Sequence, residues 1–139
     1  MSANLVKVKQ SLVTYLKGEI TVTSLLATPV EVREVEWQGT KFLYPCVRIR
    51  VDRFERQVHG PNCNIFNVNA SVYVFAEDAS SLKCDIIASE IFNVLDLKSF
   101  SDPINGVKFG GIRCVHIGAD WVEERGNWSS VIQLTFIAS

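Results

Sequence analysis

The stretch "NIFNVNASVYVFA" (64–76) restricts the fold of this chain more than any other. Phe66, Val68, Ala70, Val72, Val74 and Ala76 fall on one face of an extended strand; Asn67, Asn69, Ser71 and Tyr73 fall on the other. Side chains of a strand alternate between its two faces, so this pattern calls for a sheet with one face covered and one left polar. "PCVRIRVDRF" (45–54) repeats the pattern, with Val47, Ile49 and Val51 on one side and Cys46, Arg48, Arg50 and Asp52 on the other. Between the two strands, "ERQVHGPNCN" contains Gly60 and Pro61 and reads as a hairpin loop.

The covering elements are legible as well. Over residues 3–17, Leu5, Val8, Leu12, Tyr15 and Leu16 recur at three- and four-residue steps, opposite Lys7, Gln10, Ser11 and Thr14. That spacing predicts an amphipathic helix, with Gly18 as its stop. A second helix is expected from a cap at Asp78 or Ser80 to about residue 97, its apolar arc formed by Cys84, Ile87, Ala88, Ile91, Val94 and Leu95. Leu82, Ile86 and Leu97 fall on its polar side. They are either ordinary surface residues or a smaller contact surface for another subunit.

"VEVREVEW" (30–37) is a further candidate strand, "SDPING" a turn, and "GIRCVHIG" (111–118) and "WSSVIQLTFIA" (128–138) the closing strands. The expected fold is therefore α+β in the order α-β-β-β-α-β-β. It is a mainly antiparallel sheet of four to five strands with two helices packed on one face, in a single domain spanning 1–139. The uncovered face would present Arg48, Arg50, Asn67, Asn69, Ser71, Gln133 and Thr135.

Composition excludes several classes. With 47% hydrophobic and 21% charged residues the chain is not of a disordered type, and a net charge of −1 gives no bulk attraction to nucleic acid or an anionic membrane. No apolar run reaches the roughly 18 residues of a membrane span. Lys7, Lys9 and Gln10 interrupt the first apolar residues, so no signal peptide is expected, and Cys46, Cys63, Cys84 and Cys114 are expected as reduced thiols.

Motifs of chemistry are sparse. His59 with Cys63 and Cys114 with His116 lack a C-x-x-C partner or neighbouring carboxylate, so no metal site is expected. No cysteine stands beside a base that would activate it. "FGGI" (109–112) leads into a strand rather than a helix, and reads as a bulge or turn instead of a phosphate cradle. "VKFGGIRCVHI" echoes the strand of single-stranded RNA-binding modules, but Cys114 and His116 occupy the stacking positions. No catalytic residue and no cofactor is expected.

A charge contrast remains. Residues 46–59 hold Arg48, Arg50, Arg53 and Arg56 against Asp52 and Glu55 (four minus two, +2), with His59 alongside. Residues 119–128 hold Asp120, Glu123 and Glu124 against Arg125 (one minus three, −2), bracketed by Trp121 and Trp128. Opposite patches on one chain can meet head to tail, as a heterologous ring contact requires, and tryptophan is enriched at such anchors.

The amphipathic first helix, "YPCVRIRV", "NASVYVFAEDASSLKCDIIASEIFNVL" and "ADWVEERGNWSSVIQLTFIAS", in this order and spacing, resemble the tail terminator (tail completion) proteins of long-tailed, lambda-like bacteriophages. The resemblance covers most of the chain. It implies a structural virion protein without enzymatic activity: a hexameric ring of self-associated copies seated on the last tail-tube ring, ending tube polymerisation and offering the surface to which head-completion or neck proteins join. Its implied partners are copies of itself, tail tube protein, sheath protein as a further candidate, and a neck protein. No membrane is implied, and nucleic acid only as DNA passing through the lumen. Its implied location is the head-proximal end of the virion tail, after assembly in the host cytoplasm. Two other readings stand beside it: an α+β module binding RNA or a small ligand, and a small enzyme using a cysteine.

Overall fold

The computed structural model describes residues 3–28, 31–35, 43–57, 65–77, 81–124 and 126–139. The first helix, α1 (Leu5–Lys17), begins where Asn4 accepts the Lys7 N–H on its side-chain oxygen at 2.9 Å. That bond satisfies one of the amide groups left over at a helix start. Val8, Leu12 and Leu16 of α1 are fully buried, each worth about 1.5–3 kcal/mol of apolar burial. A one-turn helix, α2 (Ile20–Thr23), follows.

The strands are β1 (Val32–Glu34), β2 (Cys46–Arg56), β3 (Phe66–Ala76), β4 (Phe100–Asp102), β5 (Val107–Val122) and β6 (Asn127–Ala138), with α3 (Leu82–Leu95) between β3 and β4. They form one sheet in the order β1-β2-β3-β6-β5-β4. The α+β class and the covered face are as the sequence implies. The sheet, however, has six strands rather than four or five. It is also mixed, because β1 runs parallel to β2 while all other pairs are antiparallel. β1 falls within the candidate strand at 30–37, whereas β4, with three residues, is too short to leave a clear alternation signal.

Packed against α1 and α3 are Val47 and Ile49 of β2, Val68, Val72 and Val74 of β3, Ile112 of β5, and Ile132, Leu134 and Phe136 of β6. One chain of rings crosses this core. Tyr15 stacks on Phe100 (centroids 4.1 Å), Phe100 on Phe109 (4.4 Å), and Phe109 meets Phe136 at 5.0 Å.

One expectation for the second helix changes. The helix ends at Leu95, and Leu97 lies beyond it with a left-handed backbone (φ 61), a conformation usually given to glycine. Its N–H bonds the Ile112 carbonyl at 2.7 Å, which helps hold that conformation. The caps considered at Asp78 and Ser80 lie outside the described residues.

The larger revision concerns β5 and β6. The acidic segment expected as a loop over 119–128 is mostly paired strand: Asp120 faces Ser129, Trp121 faces Trp128 and Val122 faces Asn127. The ladder absorbs two irregularities, between Gly110 and Arg113 and between Ile117 and Asp120. The first contains Gly111 at φ +47, so of the bulge or turn read from the double glycine it is a bulge that forms. Along the outer edge of β5, past β4, the Cys114 N–H donates to Asp96 Oδ1 and the Ala119 N–H to Asp85 Oδ1, both at 3.1 Å.

Candidate functional site

Registers place the far end of the basic segment, Arg53 and Arg56, and the acidic segment at opposite ends of the sheet. Phe66, where β3 leaves the β2–β3 connection, pairs with Ala138, whereas Ala76 pairs with Trp128 beside the β5–β6 tip. Ten residues of β6 separate the two, roughly 33 Å at strand rise. Arg53 and Arg56 are therefore remote from the acids of their own chain, whereas Arg50, opposite Ser71, lies nearer the tip and lines one groove with Glu124.

The basic segment is smaller than its sequence suggests, because Arg48 does not belong to the surface. It is only 1% exposed, with its guanidinium donating to the Glu31 carbonyl (2.7 Å), the Val47 carbonyl (3.0 Å) and the Glu31 carboxylate (3.2 Å). Alternation directs Arg48 to the uncovered face correctly, but the chain around Glu31 covers that end of it. Arg50 pairs with Asp52 and Arg53 with Glu55, each at 3.4 Å, and Arg56 lies 5.5 Å from the Phe66 ring centroid. Without Arg48 the count is Arg50, Arg53 and Arg56 against Asp52 and Glu55, three minus two, or +1. His59 lies outside the described residues.

At the other end Asp120, Glu123 and Glu124 are all exposed and form no ion pair among the described residues. Trp121 is 46% exposed and meets Trp128 edge to face at 5.3 Å, while Trp128 packs against the core. Arg125 lies outside the described residues. On the helix layer, Leu82, Ile86 and Leu97 are 65%, 46% and 76% exposed.

The uncovered sheet face keeps Arg50, Asn67, Asn69, Gln133 and Thr135 exposed and draws Ser71 in, where its hydroxyl donates to the Asp52 carboxylate. The sequence reading missed an apolar row on the same face. Tyr73 pairs with Val131 and Val131 with Ile117, while Val115 lies opposite Gln133. Val115 and Ile117 are strongly exposed. The signal was present in "CVHI", where both parities of the strand carry side chains with apolar character. Nearby, an open groove is bounded by Arg50 and Val35 on one side and Val122 and Glu124 on the other, floored by Tyr73, Phe75 and Ser129.

Chemistry remains sparse among the described residues. They contain no group of three or more His, Cys, Asp or Glu able to hold a metal; His59 and Cys63 lie outside them. His116 Nε2 lies 3.0 Å from Ser130 Oγ and 3.5 Å from Asp85 Oδ1. One ring nitrogen faces both partners and the serine is 1% exposed, so this is a junction between α3 and the sheet and not a nucleophile with its base.

Burial pushes the Cys84 thiol up to about 11, helped by Asp85, and the Cys114 thiol up to about 12, helped by Asp96. Both are therefore held as unreactive thiols at neutral pH. The unfolded chain would ionise them near 9, so it releases protons first as the pH climbs. Stability is accordingly full below pH 9 and falls as the pH rises through 11 and 12. Urea midpoints measured from pH 8 to pH 11 should decline, and should decline less steeply in a Cys84→Ala/Cys114→Ala variant.

No family model matches this chain, and no curated protein matches it in sequence. Among solved structures, its fold is similar to that of a chain in the virion of a native gene transfer agent (GTA) particle. The TM-score is 0.66 at 9% sequence identity, and the match covers 97% of this chain and 96% of that one. At that identity the likeness is one of fold, and it extends over nearly the whole of both chains.

Proposed function

We propose that this protein is a structural component of a phage-like virion, and specifically a tail terminator. In this role its copies form a hexameric ring that caps the tail tube, stops its growth and presents a joining surface to a head-completion or neck protein. The observation that carries the reading is the end-to-end fold likeness to a chain of an assembled virion particle. Sequence features resembling the tail terminators support the finer assignment.

The geometry suits such a role. A cap must contact different partners at its two ends, and here the paired ends of β2 and β3 at Arg56 and Phe66 lie at the end of the sheet opposite the β5–β6 tip. Leu82, Ile86 and Leu97 on the helix layer are available for lateral contacts. In this reading the protein is not an enzyme and uses no cofactor. Its neighbours are copies of itself, tube protein, sheath protein in a contractile tail, and a neck protein, with DNA passing through the lumen.

Purified protein added to growing tail tubes should arrest them at one length, each with a distinct terminal ring visible by negative-stain microscopy. Tubes that elongate unchanged and uncapped would remove the terminator assignment.

A further inference from the structure

We propose that the uncovered face of the sheet is a docking surface for the β5–β6 tip of a second copy of this chain. This deepens the ring reading by naming one of its contacts. Its test uses free protein, so its failure and that of tube capping are separable.

The face combines two properties. Arg53 pairs with Asn69, Asn69 with Thr135, and Thr135 with Arg113, which sets two arginines in one row across four strands, roughly 14 Å apart at strand spacing. Lys108 is exposed on the same side, because its neighbours Val107 and Phe109 point into the core. Arg50, Arg53, Lys108 and Arg113 stand against Asp52 and Glu55 on this face, four minus two, or +2. Arg113 and Lys108 make no ion pair among the described residues. Beside this basic half lie the exposed apolar side chains of Val115 and Ile117.

An occupant of such a face needs acidic groups next to an apolar anchor. The tip supplies both: Trp121 is half-exposed, Asp120 precedes it on the other face of the strand, and the exposed Glu123 and Glu124 follow. Tryptophan is the side chain most suited to anchoring an interface, and arginine and lysine at its margin are attracted to carboxylates and to the indole face alike. Arg53 and Arg113 share a register with Thr135, which is roughly 20 Å along β6 from Ser129, the partner of Asp120. The tip continues the same ladder to Val122 and Asn127 instead of turning back over that row, so the contact with it is made between copies. A contact between two different surfaces is heterologous, the kind that generates rings.

Charge reversal provides the test. One variant, Arg53→Glu/Arg113→Glu, makes both surfaces acidic; another, Asp120→Lys/Glu123→Lys/Glu124→Lys, makes both basic. Sedimentation velocity should show wild-type protein self-associating, less so as salt is raised. Each variant alone should associate at least about tenfold more weakly, because like charges then face each other. An equal mixture should recover association, since each variant's tip then meets a face of opposite sign. Circular dichroism would establish that both variants fold; if either does not, Lys108→Glu and Glu123→Lys replace the pair. Wild-type association unchanged by either reversal would overturn the proposal, and so would a mixture no more associated than its components. A monomeric wild type that binds single-stranded oligonucleotide through Arg53 and Arg113 would overturn it in favour of nucleic acid.

Discussion

Replacing Arg48 with alanine is expected to lower folding stability by about 3–5 kcal/mol, the range for removing one member of a buried ion pair. Glu31 has a 3%-exposed side chain, and the guanidinium that satisfies its carboxylate would be gone. Arg33 approaches the other carboxylate oxygen only at 3.8 Å. The lost Arg48 would also deprive the carbonyls of Glu31 and Val47 of donors. A double variant, Glu31→Gln/Arg48→Met, should recover a good part of the loss, because the buried charges then disappear together. Urea denaturation of the three proteins checks this. A single-variant loss below about 1 kcal/mol would mean the pair behaves as a surface salt bridge.

The second large effect is expected at Phe109. Its ring is 3% exposed and lies between Phe100 at 4.4 Å and Phe136 at 5.0 Å. Phe109→Ala should cost about 3–5 kcal/mol, as the removed ring leaves a cavity that two flanking strands cannot close. Phe109→Leu should cost less, because it keeps most of the buried volume. Phe109 also pairs with Phe100 in the β4–β5 ladder, so the loss should concentrate there. Hydrogen exchange is expected to accelerate in β4 before the centre of the sheet. Uniform acceleration would show instead that the ring supports the sheet as a whole.

These two residues illustrate what the sequence discloses. Phe109 heads "FGGI", and its burial follows once the glycines are read as a bulge in a strand. Arg48 was assigned correctly to one side of β2, yet its environment depends on Glu31, seventeen positions away and supplied by the chain leading into β1. Alternation reports the face of a residue and not what lies over that face. The helices and the long strands were readable for a related reason, since each carries its own period. The tip of β5–β6 was not, because Gly118 and a run of acids look like a turn while the pairing of Trp121 with Trp128 carries the ladder further. Irregularities on either side of 113–117 also break the alternation that would have announced the extension. Exposure of Trp121 and the acids could be anticipated from composition; the apolar row from Tyr73 to Ile117 needed the registers of three strands.

Asp85 and Asp96 make the outer edge of β5 a poor template. A strand seeking to add itself there needs a regular series of outward N–H groups, and those of Cys114 and Ala119 already donate to these carboxylates. To zip on, an incoming chain would have to evict both aspartates and leave them without their donors, which disfavours the exchange. Sheet growth at this border is therefore blocked by side chains anchored on α3 and its end. Where many copies crowd together, that guards against fusion into a continuous β fibril and leaves association to surfaces whose geometry sets a finite number of neighbours.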